Sequence, residues 1–167
     1  MCIYYHASLE KYSIGYTVSV DNFQGTTTQD HARRSLEQQL VNDLLDAERP
    51  QDMYNRKRCI FLFDNLQHCI YYASKQYGEG VQIYRVHSDD VVWGGFPICI
   101  VNKVYNSSAE CRDYYISEYW SPTQTWKVYE FLARSIIIDE IIDFQLNYYN
   151  DDYLDDHRTL CNLQCPY

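Results

Sequence analysis

The stretch Arg56-Lys57-Arg58-Cys59-Ile60-Phe61-Leu62-Phe63-Asp64, with the residues that follow it to Gln76, decides the fold. Four consecutive apolar residues, Ile60 to Phe63, sit between basic residues and an aspartate, so Arg58 to Phe63 reads as a buried strand. Asp64 is placed to cap a helix running to about Gln76, which carries His68, Cys69, Ile70, Tyr71, Tyr72 and Ala73. Gly78 and Gly80 end that helix and Val81 to Val86 is the next strand. Upstream, Cys2 to Tyr5 is a short β-type run ending at His6-Ala7-Ser8, and Tyr16 to Val20 is a second run. Gln24 to Thr28 reads as loop. Asp30 then caps a helix from His31 to about Ala47, with Leu36, Leu40, Leu44 and Leu45 on one face and Arg49-Pro50 as its stop. Downstream, Val91 to Trp93, Ile98 to Val104, Tyr114 to Trp120, Trp126 to Ala133 and Ser135 to Phe144 read as strands. One or two N-terminal helices on about eight short strands make an α+β fold.

Composition bounds the function. The chain has 167 residues, 46% hydrophobic and 22% charged, which fits one domain with a true core and excludes a disordered chain. Mean hydropathy is −0.48 and the apolar runs are only a few residues long, so no membrane-spanning helix is expected. Met1 to His6 lacks a basic segment followed by an apolar one, so no signal peptide is expected and the cytoplasm is the expected location. The formal charge is −9, but seven acids and no Lys or Arg lie between Asp139 and His157. The body is therefore close to neutral, and repulsion of nucleic acid is confined to an acidic end. The expected division is a domain over 1–144 and an acidic tail or docked helix over 145–167. The seven cysteines are odd in number and irregular in spacing, with no Cys-x-x-Cys, which reads as reduced thiols in a reducing compartment. Eighteen tyrosines favour sheet, and they suit a protein-binding surface as well as a cleft.

Most motifs that would carry chemistry are missing. His157-x3-Cys161-x3-Cys165 and His68-Cys69 do not supply the four spaced ligands of a structural zinc site, so no metal is expected. Neither Gly78-Glu79-Gly80 nor Gly94-Gly95 fits a phosphate-binding loop. Three segments stand out together. They are Tyr4-Tyr5-His6-Ala7-Ser8, the strand and helix from Arg56 to Ala73, and Tyr129-Glu130-Phe131-Leu132-Ala133. Strand alternation places Glu130 on the face of Leu132, away from Tyr129 and Phe131. A carboxylate there is either a paired or useful buried charge, or an edge-strand residue facing water.

In that order the segments resemble the ADP-ribosyltransferase superfamily, in the H-Y-E branch that includes diphtheria toxin, poly-ADP-ribose polymerases and rifampin ADP-ribosyltransferases. Tyr5-His6-Ala7-Ser8 resembles the first-strand histidine motif, Ile60 to Phe63 with Tyr71 and Tyr72 the nicotinamide-stacking unit, and Glu130-Phe131-Leu132-Ala133 the glutamate strand. The resemblance spans about residues 3 to 143 and implies a split mixed sheet around a cleft for NAD. It implies that His6 bonds an NAD ribose and the Ala7 backbone holds the carboxamide. Tyr72, in preference to Tyr71, would stack on nicotinamide, and Arg56 or Arg58 would face the pyrophosphate. Glu130 would be the catalytic carboxylate that stabilises the oxocarbenium-like state. Phe61 stands where the branch often has Tyr, and Ala7 where it has Gly. The activity implied is mono-ADP-ribosyl transfer from NAD to an acceptor the sequence does not name: protein, nucleic acid, small molecule or water. Two rivals stand beside it. One is a catalytically silent copy that binds a partner protein, and the other is RNA 2'-phosphotransferase chemistry, for which only Arg33-Arg34 and the Arg56/Arg58 pair supply arginines.

Overall fold

The computed structural model describes residues 2–21, 36–77, 79–95, 103–123, 129–145 and 164–166. Seven strands and three helices lie wholly within these residues. The strands are β1 (Tyr4–Ser8), β2 (Thr17–Ser19), β3 (Ile60–Leu62), β4 (Gln82–His87), β5 (Val92–Gly95), β6 (Glu130–Ala133) and β7 (Ser135–Ile142). The helices are α1 (Leu36–Ala47), α2 (Leu66–Gln76) and α3 (Ala109–Trp120). A four-stranded sheet has the order β1-β4-β7-β2 and a three-stranded sheet the order β3-β6-β5. The α+β expectation holds. Among the described residues every strand pair is antiparallel, however, where a mixed sheet was expected.

The pleat sorts side chains into three cores. Tyr84, Val86, Ile136, Ile138 and Val18 of the first sheet meet Ile60, Leu62 and Ala133 of the second, so one core lies between the sheets. On the other face of the first sheet, Ala7 and Ile83 pack with Phe63 against Cys69, Ile70, Tyr72 and Ala73 of α2. On the other face of the second sheet, Leu132 lies beneath Val41 and Leu45 of α1 and Tyr115, Ile116, Tyr119 and Trp120 of α3. A reciprocal pair of backbone hydrogen bonds joins the sheets, from Tyr5 N–H to the Phe63 carbonyl and from Phe63 N–H to the Tyr5 carbonyl (2.7 and 2.9 Å).

Several elements differ from expectation. Tyr114 to Trp120 is not a strand but the body of α3. Its N-cap Ser108 accepts from Cys111 N–H, and its buried apolar residues 115, 116, 119 and 120 recur at helical spacing, with Glu118 buried beside them. Arg58 begins no strand, because Arg56–Arg58 is a single 3-10 turn capped by Asn55. Asn65, not Asp64, caps α2, its side chain accepting from Gln67 N–H and His68 N–H. On α1 the buried stripe is Val41 and Leu45, while Leu36 and Leu40 are exposed. The proposed cap Asp30, loop Gln24–Thr28 and the first five residues of that helix lie outside the described residues. So do most of Ile98–Val104, whose described end is helical at 103–106, and the start of the Trp126 strand. Among the described residues, no helix is long and apolar enough to cross a membrane. The expectation of reduced thiols fails for one pair: Cys111 and Cys165 form a disulfide, with Cα atoms 5.4 Å apart. Their separation of 54 residues gave the sequence no local sign of it.

Candidate functional site

The densest polar cluster is built on Arg56. The Asn55 side chain accepts from Lys57 N–H, which fixes the 3-10 turn and sends Arg56 inward beneath α1. Asn42 and Asp46, one helical turn apart, receive it: Arg56 N–H donates to Asp46 Oδ1 (2.8 Å) and Nε–H to Asn42 Oδ1 (3.1 Å). Nη1 donates to the Tyr119 hydroxyl of α3 and to Glu130 Oε1 of β6. The Tyr119 hydroxyl in turn donates to Glu130 Oε1. The guanidinium lies between the rings of Phe61 and Tyr119, 5.0 and 4.8 Å from their centroids. Arg56 is 5% exposed, Glu130 2% and Tyr119 0%.

Glu130 is therefore not an edge-strand residue facing water. β6 is the central strand of its sheet, and Glu130 shares the helix-covered face with Leu132, as the alternation implied. Burial works against the Arg56 charge, but Glu130 and Tyr119 outweigh it and hold the guanidinium more firmly protonated than usual. Burial also keeps the Tyr119 hydroxyl protonated well above the ordinary tyrosine range, against the pull of Arg56.

His6 acts at the join between the sheets. Tyr5 is paired with Phe63, so a continuous antiparallel ladder would next pair Ala7 with Phe61. Instead, His6 Nδ1 lies 3.0 Å from the Phe61 carbonyl. A carbonyl only accepts, so Nδ1 carries the proton and Nε2 presents a lone pair. Burial lowers the imidazole pKa to about 4, so the ring is neutral near pH 7. The side chain thus takes the bond that a neighbouring strand would take, and wedges β1 away from β3. By the two-residue period, the Ala7 amide points from the same edge of β1 as the Tyr5 amide, toward the wedge. The Ala7 methyl is buried against α2.

The remaining sequence candidates fall in different places. Phe61 joins the two groups: its carbonyl faces His6 and its ring faces Arg56. Tyr72 is 7% exposed and packs against Phe63 and Tyr77 within the α2 core, where a stacked ligand would need that core opened. Tyr71, the less favoured of the pair, packs instead with the cluster containing Phe61, Tyr119 and Leu132. Arg58 is exposed, away from the buried group. His6 and Glu130 do not share a sheet face: His6 pairs with Tyr84 of the inter-sheet core, while Glu130 lies under the helices. Sequence reasoning missed Tyr119, Asn42 and Asp46. The i, i+4 pair of polar residues on the buried side of α1 was the available signal, and Tyr119 was hidden by reading α3 as a strand.

No protein-family model matches the chain, and no curated protein matches it either. Among the described residues, no group of three His, Cys, Asp or Glu side chains is placed to hold a metal ion.

Proposed function

We propose that the chain is an NAD-dependent mono-ADP-ribosyltransferase of the ADP-ribosyltransferase type, with Glu130 as its catalytic carboxylate. The observation that carries this reading is the buried Arg56–Glu130–Tyr119 group, linked to His6 through Phe61. A buried ion pair is a weak source of stability, since apolar side chains of similar volume hold a core as well or better. Keeping a carboxylate there therefore favours a chemical use. In this reading the His6 Nε2 lone pair accepts from a ribose hydroxyl, the Ala7 amide holds the carboxamide, and Tyr71, rather than Tyr72, stacks on nicotinamide. Arg56 turns from Glu130 to the pyrophosphate when NAD enters, releasing the carboxylate to face the nicotinamide ribose. The bond from the ribose anomeric carbon to nicotinamide then breaks, with the electron pair leaving on nicotinamide. The acceptor forms the new bond to that carbon and gives up its proton, while Glu130 stabilises the positive charge between the two events. The split sheet of the family is supported by the wedge at His6, and a cytoplasmic location belongs to this proposal.

A second reading has its own support. Glu130 is 2% exposed and already accepts from both Arg56 and Tyr119, as a purely structural carboxylate would. On that reading the domain is catalytically silent and binds a partner protein through its tyrosine-rich surface. Nicotinamide release from NAD, with and without cell lysate, separates the two when wild type, Glu130→Gln and Tyr71→Ala are compared after circular dichroism has confirmed folding. Release by wild type that both variants lose supports the transferase. Absence of release together with absence of NAD binding by calorimetry leaves the binding module.

A further inference from the structure

The two half-cystines lie at the surface of α3, Cys111 in its first turn and Cys165 in the 164–166 segment, and both are only partly buried. The segment is held there twice: by the disulfide, and by a hydrogen bond from Cys165 N–H to the Tyr115 hydroxyl (3.0 Å). Its Cys165 side chain packs against the core cluster of Tyr115, Ile116, Tyr119 and Trp120. The hold of α3 on the body does not depend on that bond: Tyr115 and Ile116 pack over Leu132, and two further ties lie at the other end of the helix. Tyr119 bonds Glu130 and Arg56 there, and Trp120 Nε1–H donates to the Leu45 carbonyl (2.8 Å).

The other described cysteines divide cleanly. Cys59 and Cys69 are fully buried, and burial pushes the Cys69 thiol well above the ordinary thiol range, which leaves it inert as a nucleophile. Cys2 is an exposed free thiol. Among the described residues, the bond that a dithiol reductant can reach is thus the one that ties residues 164–166 to α3.

We propose that Cys111–Cys165 is a redox latch that docks the 164–166 segment on α3 when oxidised and frees it when reduced, while α3 stays seated through Tyr119 and Trp120. Opening is thiol–disulfide exchange. A thiolate of the dithiol attacks one sulfur and forms a mixed disulfide; the other sulfur leaves as a thiolate and takes a proton. The second thiol of the reductant, losing its own proton, attacks the mixed disulfide, so the dithiol ends as a disulfide and the protein carries two thiols. A monomeric thiol cap on either cysteine would open the latch equally.

The test uses the full chain purified in air without reductant. Peptide mapping by mass spectrometry is expected to find the Cys111 and Cys165 peptides linked. Hydrogen–deuterium exchange of the C-terminal peptide containing Cys165 should then rise at least tenfold on adding dithiothreitol, while the peptide spanning Tyr119 and Trp120 keeps its protection. Cys165→Ser should exchange like the reduced protein and ignore dithiothreitol. Absence of the linked peptide overturns the proposal. So does a C-terminal peptide whose exchange dithiothreitol leaves unchanged, or loss of protection across all of α3, which would make the bond a fold staple rather than a latch.

Discussion

An arginine and a glutamate in a protein interior hold each other hostage. Removing one leaves the other charged, desolvated and unpaired, which typically costs about 3–5 kcal/mol, whereas replacing both with apolar residues of similar size is often neutral. We therefore expect Glu130→Leu to lose about that much stability in urea titrations, and Arg56→Met with Glu130→Leu to recover most of it. A double variant as weak as the single one would mean that the side-chain bonds of Arg56 to Asn42 and Tyr119, not its pairing with Glu130, carry the Arg56 contribution. The second residue-scale expectation concerns His6. Its folded pKa lies near 4, below the ordinary value of 6.5, so the unfolded chain binds the proton first as the pH falls. Stability from His6 is whole above about 6.5, declines through that window and is gone below about 4. The residue is only partly buried, so the loss should be about 2 kcal/mol. Urea titrations from pH 7.5 to 4.5 should show a steeper decline for wild type than for His6→Gln; equal slopes would remove His6 from the account. All three residues were visible in the sequence as chemistry-bearing types at the ends of apolar runs. What each bonds was not, because Phe61, Asn42 and Tyr119 reach them only through tertiary packing.

At the scale of elements, α3 shows where sequence pattern misleads. Tyr114, Tyr115, Ile116, Tyr119 and Trp120 are the residue types of strands, and their content outweighed their spacing. Yet Ser108 as a cap and a buried stripe at 115, 116, 119 and 120 satisfy a helix and no strand. The β3–α2 unit was legible because apolar run, cap and helical period agreed there. On α1 the period was right but the face was rotated, since the helix turns Val41, Asn42 and Leu45 inward to meet Arg56 and α3. Leu45 is fully buried, so Leu45→Ala should cost about 2–5 kcal/mol, while Leu36→Ala, on a side chain 83% exposed, should stay within about 0.5 kcal/mol. Chemical denaturation of the two variants side by side checks the rotation, and equal effects would contradict it.

Across the whole molecule, the class of fold followed from the alternation of short apolar runs with two capped helices, but the arrangement of two sheets did not, since pairings such as β4 with β7 join residues far apart in sequence. The disulfide was hidden for the same reason. It spans 54 residues, and chain-entropy arguments give such a bridge about 4 kcal/mol. The urea midpoint of the oxidised chain should therefore exceed that of the reduced chain, and coincident curves would show that the bond constrains no unfolded loop. The wedge at His6 has a mechanical consequence. Beside it, the two sheets are stitched along the β1–β3 border by one reciprocal pair of backbone bonds, Tyr5 with Phe63. Two bonds of about 1 kcal/mol net each make a crease rather than a rigid wall. Under load or thermal agitation the border between β1 and β3 gives before β4 and β7 part, so the molecule yields along a line already drawn by its first strand.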